Sequence, residues 1–162
     1  MRGPSGAAPG GEPPFVIGWN EYVDIPEWGI RRLRAKVDTG ARTSALHVEG
    51  IQVLPRGRVG FDVVLHRRKL DRRVHVVTRI RRRARVRSSS GHFSTRIFVA
   101  AEVQIGPVRR EIEMSLVDRE KMIHRMLLGR TALEGDFLVD VAHRALLTSR
   151  PRRKKKTPAS DS

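Results

Sequence analysis

Asp38, Thr39 and Gly40 follow the strand-like residues Ala35, Lys36 and Val37. A carboxylate on a glycine-permitted turn at the end of a strand is placed to act on water or on a carbonyl. Hydrolysis of that kind uses two carboxylates held so close that they cannot both ionise, so that one serves as base while the other serves as acid. Asp-Thr-Gly occurs once in the 162 residues. The second carboxylate is therefore expected from Asp38 of another copy across a two-fold axis, which makes a homodimer the expected working unit. In that arrangement Asp38 polarises the attacking water, and the Thr39 hydroxyl bonds to backbone across the axis. Gly40 lets the chain approach closely, through angles that a side chain forbids. The purely structural reading of the same tripeptide is an Asx turn.

A carboxylate of this kind needs a rigid frame, and the hydrophobic pattern supplies a β one. Val59, Phe61, Val63 and Leu65 alternate with polar neighbours, as do Val74, Val76, Thr78 and Ile80. Ile97, Val99, Ala101, Val103 and Ile105 form the clearest alternation, and after Gly106-Pro107 it resumes in Ile112, Met114 and Leu116, which predicts a hairpin. Val16 to Ile30, broken by Gly18, Pro26 and Gly29, predicts an irregular hairpin leading into the strand that carries Asp38. Leu46 to Val53 and Phe137 to Val141 complete the strands, and Gly129 to Gly135 is the place for one short helix. The expected fold is mainly β, a closed or nearly closed barrel rather than an open sheet, because closure removes exposed edges. One domain is expected over residues 15–149. Residues 1–14, rich in Gly, Pro and Ala, and the basic tail 150–162 are expected to be disordered.

Composition narrows the chemistry further. With no cysteine the chain has no disulfide, thiol nucleophile or Cys-ligated zinc, which fits a reducing cytoplasm. No apolar run reaches membrane-spanning length and the start lacks the order of a signal peptide, so a cytoplasmic protein without a membrane partner is expected. The formal charge is +16; removing the net +5 of the tail leaves +11 on residues 1–149. Much of it lies in Arg79, Arg81, Arg82, Arg83, Arg85 and Arg87. Such a field attracts RNA, acidic protein tails or an acidic peptide substrate, unless it is only a solvated face.

Three blocks carry a resemblance: Ala35 to His47 (Ala-Lys-Val-Asp-Thr-Gly-Ala-Arg-Thr-Ser-Ala-Leu-His), Val86 to His92 (Val-Arg-Ser-Ser-Ser-Gly-His) and Met126 to Arg130 (Met-Leu-Leu-Gly-Arg). In this order, over roughly Phe15 to Thr148, the chain resembles the bacterial retropepsin-like aspartic peptidases, a family often labelled ATP-dependent zinc protease. The resemblance implies a single-domain acid-protease barrel with Asp38 as the catalytic aspartate. It also implies that Leu127, Leu128, Gly129 and Arg130 cross behind the active-site loop and support it. Some relatives are linked to ATP-grasp ligases that add glutamates to a ribosomal protein, which implies an acidic, ribosome-associated tail as substrate.

Other residues invite weighing. Ser88 to His92 suit an exposed hairpin tip that covers a cleft, so Ser89, Ser90, Gly91 and His92 are candidate substrate contacts; the alternative is an ordinary surface turn. Arg42, beside the catalytic turn, could clamp a substrate carboxylate or pair with Asp118 or Asp136 of its own fold. Ser44 and His47 lack the Gly-flanked elbow of a serine hydrolase. Neither His-Glu-x-x-His nor a phosphate-binding glycine loop is present, so no cofactor is expected and no metal site is assigned. His47, His92 and His124 remain the histidines that folding could gather. A zinc-dependent protease is one alternative, and a pseudoenzyme scaffold is another. A third is a non-catalytic basic barrel that binds RNA or ribosomes, against which the aromatics are few and not interleaved with the arginine run.

Overall fold

The computed structural model describes residues 14–66, 68–69, 71–87, 90–118 and 123–149. The expected disordered ends fall outside them, apart from the exposed Pro14. Side chains on a strand alternate between faces, so the period-two runs become strands with one face buried. In chain order these are β1 (Phe15–Gly18), β2 (Asn20–Ile25), β3 (Ile30–Val37), β4 (Ser44–Leu54), β5 (Arg58–Val64) and β6 (Arg73–Arg79), followed by β7 (Arg82–Arg87), β8 (Phe93–Ile105), β9 (Val108–Val117), β10 (Met126–Leu128) and β11 (Phe137–Asp140). A 3-10 turn spans Pro26–Trp28, and the one α-helix among the described residues is α1 (Arg130–Leu133).

Six of these strands close into a barrel. β3 pairs with β2, β2 with β8, β8 with β9, β9 with β4, and β4 returns through β10 to β3. The three residues of β10 make the closure: Leu127 lies opposite Lys36 of β3 in parallel pairing and opposite Ala45 of β4 in antiparallel pairing. The interior takes Leu33 and Ala35 from β3, Leu46 and Val48 from β4, Val99, Ala101 and Val103 from β8, Met114 from β9, and Met126 and Leu128 from β10. The expected mainly β closed barrel with one short helix is the fold observed.

Beyond the ring, β5 and β6 extend the sheet from the far half of β4, and β7 folds back on the first half of β8. β1 and β11 make a separate parallel pair in which Phe15 faces Phe137. The predicted β8–β9 hairpin turns at Gly106, whose φ of +58° favours glycine and whose absent side chain leaves room for Leu147.

Leu147 belongs to a strap, residues 145–148, that a single buried carboxylate holds down. Glu21, 2% exposed, accepts the backbone N–H groups of Leu146 at 2.8 Å, Leu147 at 2.9 Å and Thr148 at 2.8 Å, and the Thr148 hydroxyl at 3.0 Å. It also takes the N–H of Gly18 at 3.2 Å. A group that only accepts suits a site that only donates. Glu21→Gln puts an NH2 among those donors and is expected to cost about 3 kcal/mol of stability. The check is denaturant unfolding together with hydrogen exchange, where the amides of Leu146, Leu147 and Thr148 should lose protection first.

Candidate active site

Asp38 leaves the end of β3 half-exposed, on a loop that the backbone pins from both sides. Its N–H donates to the carbonyl of Leu128 at 2.9 Å, and its own carbonyl accepts the N–H of Ala41 at 3.2 Å. Its Oδ1 accepts the N–H of Gly40 at 3.1 Å, the local bond of an Asx turn, and Oδ2 has no hydrogen bond among the described residues. Gly40 does not use a left-handed angle, contrary to expectation. What it supplies is space, since a Cβ there would stand 3.3 Å from Asp38 Oδ1. Thr39 is exposed, and its hydroxyl has no partner among the described residues, while its carbonyl accepts Arg130 Nη1 at 2.9 Å.

The segment behind the loop is Leu127-Leu128-Gly129-Arg130, joined to it by a ladder of short bonds. Arg130 N–H donates to Ala41 at 2.8 Å and Thr131 N–H to Arg42 at 3.0 Å, and the Ser44 hydroxyl accepts the N–H of Gly129 at 3.1 Å. Gly129 lies so near the loop that a Cβ would fall 2.5 Å from the carbonyl carbon and oxygen of Thr43. Buried Ser44 is thus a brace of this crossing, a role its sequence context did not disclose.

A cavity of about 230 Å³ opens beside Asp38, with Arg42, Ala45, Arg96, Phe98 and Leu127 among its walls. Arg42 and Thr43 also line a neighbouring cavity of about 490 Å³ that runs past Arg81, Arg82, Glu111 and Glu113. Arg42 is exposed and makes no ion pair among the described residues; Asp136 pairs instead with Arg110 at 2.9 Å, which sets aside that partner for Arg42. Arg96 was missed by sequence reasoning, because nothing in Ser94-Thr95-Arg96-Ile97 separates a cleft arginine from a surface one.

The hairpin of β7 and β8 rises from this wall, its last pair being Arg87 with Phe93. Ser90, Gly91 and His92 are exposed at its tip. Ser89 lies outside the described residues. The three histidines considered for a metal do not meet: His47 is buried on β4, His92 is at the tip, and His124 packs edge-on against Trp19 at 5.7 Å with Asn20 Nδ2 3.4 Å from its Nε2. Burial holds His124 below the ordinary histidine value, helped by the charges of Arg34 and Lys36. Among the described residues no three His, Asp or Glu side chains gather as a metal-binding group.

A single carboxylate thus stands on a braced turn in a closed barrel with β10 threaded between β3 and β4. The family model of RimB-like proteins, described as retropepsin-like aspartic endopeptidase RimB, matches residues 16–150. The chain belongs to this RimB-like family. The description of that family is aspartic-type endopeptidase, the class the three sequence blocks implied.

Curated relatives of this RimB-like chain are longer proteins. It is 34% identical over 129 residues to a protein of Shewanella halifaxensis named "Probable alpha-L-glutamate ligase", a match covering 78% of the chain and 28% of the relative. Proteins of the same name from Desulfotalea psychrophila and Parasynechococcus marenigrum are 34% and 35% identical over 132 residues, again over 78% of the chain and 28% of the relative. The chain therefore spans little more than a quarter of the length of these relatives. The crystal structure of Lpg0085 from Legionella pneumophila, a protein of unknown function, shares the fold with a TM-score of 0.67 at 23% identity, covering 82% of this chain and 98% of that one. No helix among the described residues is long and apolar enough to cross a membrane.

Proposed function

We propose that two copies of the chain form an endopeptidase in which the paired Asp38 carboxylates activate water, and that its substrates are acidic protein tails, glutamate-bearing ones included. The observation that carries the first half is Asp38 itself, half-exposed at the rim of a cavity with one oxygen tied to Gly40 and the other without a hydrogen bond among the described residues. One such carboxylate is an incomplete catalyst. Two brought together share a proton: the ionised one takes a proton from water as the water oxygen attacks the peptide carbonyl carbon, and the protonated one gives its proton to the carbonyl oxygen. Collapse of the tetrahedral diol then returns a proton to the leaving nitrogen as the C–N bond breaks, with no covalent intermediate. The exposed Thr39 hydroxyls are free to bond across the axis and hold the two loops in register.

Support for acidic substrates comes from the cavity wall, where Arg42 and Arg96 stand near Asp38. A guanidinium binds a carboxylate through paired hydrogen bonds, and does so more strongly where water is excluded. The named function of the curated relatives, glutamate ligation, points the same way: an enzyme acting on the products of such ligation would need cationic subsites beside its catalytic pair. The hairpin tip, with Ser90, Gly91 and His92, would close over the bound tail. A zinc-dependent route has no gathered ligand set among the described residues to rest on.

The test compares a glutamate-rich peptide with a neutral one in the parent and in the Arg42→Gln/Arg96→Gln variant. Loss of two charge-assisted contacts is expected to lower kcat/KM on the acidic peptide by about 100-fold and on the neutral one by less than about threefold. Equal losses on both would remove acid recognition and leave only a general peptidase.

A further inference from the structure

The arginines of β7 divide between the two faces of its hairpin. Arg82, Ala84 and Val86 lie opposite Phe98, Arg96 and Ser94, on the face whose Arg96 and Phe98 line the cavity beside Asp38. Arg83, Arg85 and Arg87 lie opposite Ile97, Thr95 and Phe93 on the other face. Inner Arg82 is neutralised by Glu113 at 2.6 Å, and Arg81 at the foot of the hairpin by Glu111 at 3.4 Å. No acid pairs with Arg83, Arg85 or Arg87 among the described residues, and all three are exposed.

Phe93 alters what that row can bind. It is 55% exposed, with the Arg85 guanidinium 4.6 Å and that of Arg87 5.7 Å from its ring centre. In sequence the aromatic lies outside the arginine run; hairpin pairing brings this one ring beside Arg85 and Arg87. Alternate residues on a strand are about 6.5 Å apart along the backbone, so the outer face offers three arginines in a row beside a half-exposed aromatic ring. Like charges set side by side without acids cost free energy, and the Phe93 ring stays 55% exposed beside the two guanidiniums. An extended polyphosphate with planar bases engages both at once.

We propose that the outer face of the β7–β8 hairpin binds single-stranded RNA, with backbone phosphates on Arg83, Arg85 and Arg87 and a base stacked against Phe93. An acidic peptide would satisfy the cations and leave the ring unused, which is why RNA is the better fit. The surface faces away from the Asp38 cavity and does not depend on peptidase activity.

The test uses the full chain and fluorescence anisotropy with a labelled oligouridylate of about twelve nucleotides, across a range of salt. Arg83→Gln/Arg85→Gln/Arg87→Gln is expected to weaken binding at least about 30-fold at low salt and to reduce the log–log salt slope by about 2, the share of three single-strand phosphate contacts. Phe93→Leu should weaken it about tenfold with the slope unchanged, since stacking carries no counterion release. The matching triple Lys variant should keep most of the slope, which separates lost charge from lost folding. Failure of the parent to bind, or a triple Gln variant with unaltered affinity and slope, would overturn the proposal and, in the second case, move binding to the basic tail. RNA binding indifferent to Phe93→Leu, with a polyglutamate peptide bound equally well, would also overturn it in favour of an acidic protein ligand.

Discussion

Asp38→Asn is expected to lower kcat/KM for peptide cleavage by at least about 1,000-fold, the scale on which positioned acid–base groups act. The loss should be chemical and not structural. Asn keeps an Oδ1 acceptor for the Gly40 N–H, and the braces to Leu128 and Ala41 are backbone bonds that the substitution does not touch. Unfolding midpoint and sedimentation behaviour should therefore match the parent. Mixing gives the sharper result. If two Asp38 groups make one site, adding an equal amount of Asp38→Asn chains leaves about one dimer in four fully parental, and activity per parental chain falls to about half. A site complete in one chain would keep its full activity in the mixture, which would remove the paired mechanism whatever the single variant shows.

Gly129→Ala carries a large expected effect on both stability and activity. The residue's own dihedrals, φ −82° and ψ 173°, suit any amino acid, so the demand for glycine comes from the space around it. Its Cβ would stand 2.5 Å from the carbonyl carbon and oxygen of Thr43 and 3.0 Å from the carbonyl carbon of Arg42. Those are backbone atoms of the wall beside Asp38 and cannot swing aside as a side chain would. The expected cost is about 3 kcal/mol, at the upper end of what overpacking imposes. Relief would come through displacement of the Arg42–Thr43 backbone, so peptidase activity should fall further than the remaining folded fraction explains. Denaturant titration, with a lower midpoint at constant slope, and kcat/KM measured well below that midpoint check the two halves. Unchanged stability would mean that the crossing is looser than these distances require.

Legibility followed the physics of each segment. The β8–β9 hairpin was plain in the sequence because its odd and even positions differ sharply in polarity and Gly106-Pro107 marks the turn. β7 was not, since Arg82-Arg83-Ala84-Arg85-Val86-Arg87 puts only Ala84 and Val86 on its less polar face, beside Arg82, too short and weakly apolar an alternation to mark a strand. β10 has three residues, too few to show any period, and is a strand because β3 and β4 flank it on both sides. The pairing of β1 with β11 joins the two ends of the described domain, and no local signal announces a contact of that range. Glu21 reads as one more acid in Asn20-Glu21-Tyr22; its role exists only because residues 146–148 turn their N–H groups toward it.

The candidate site divides in the same way. Asp38-Thr39-Gly40 and Leu127-Leu128-Gly129-Arg130 were readable because a turn on a carboxylate and a close backbone crossing can be built from few residue types. By itself the sequence determined most strand periods, the short helix after Gly129, the family, and the presence of one Asp-Thr-Gly. Tertiary structure alone decided the order in which strands close the barrel, the seating of Gly129 against Thr43, the company of Arg42 and Arg96 at the cavity, and the placing of Phe93 among the outer arginines. The reason is range: periodicity and turn chemistry act between residues a few positions apart, whereas closure, cavity and charge pairing depend on which distant strands end up side by side.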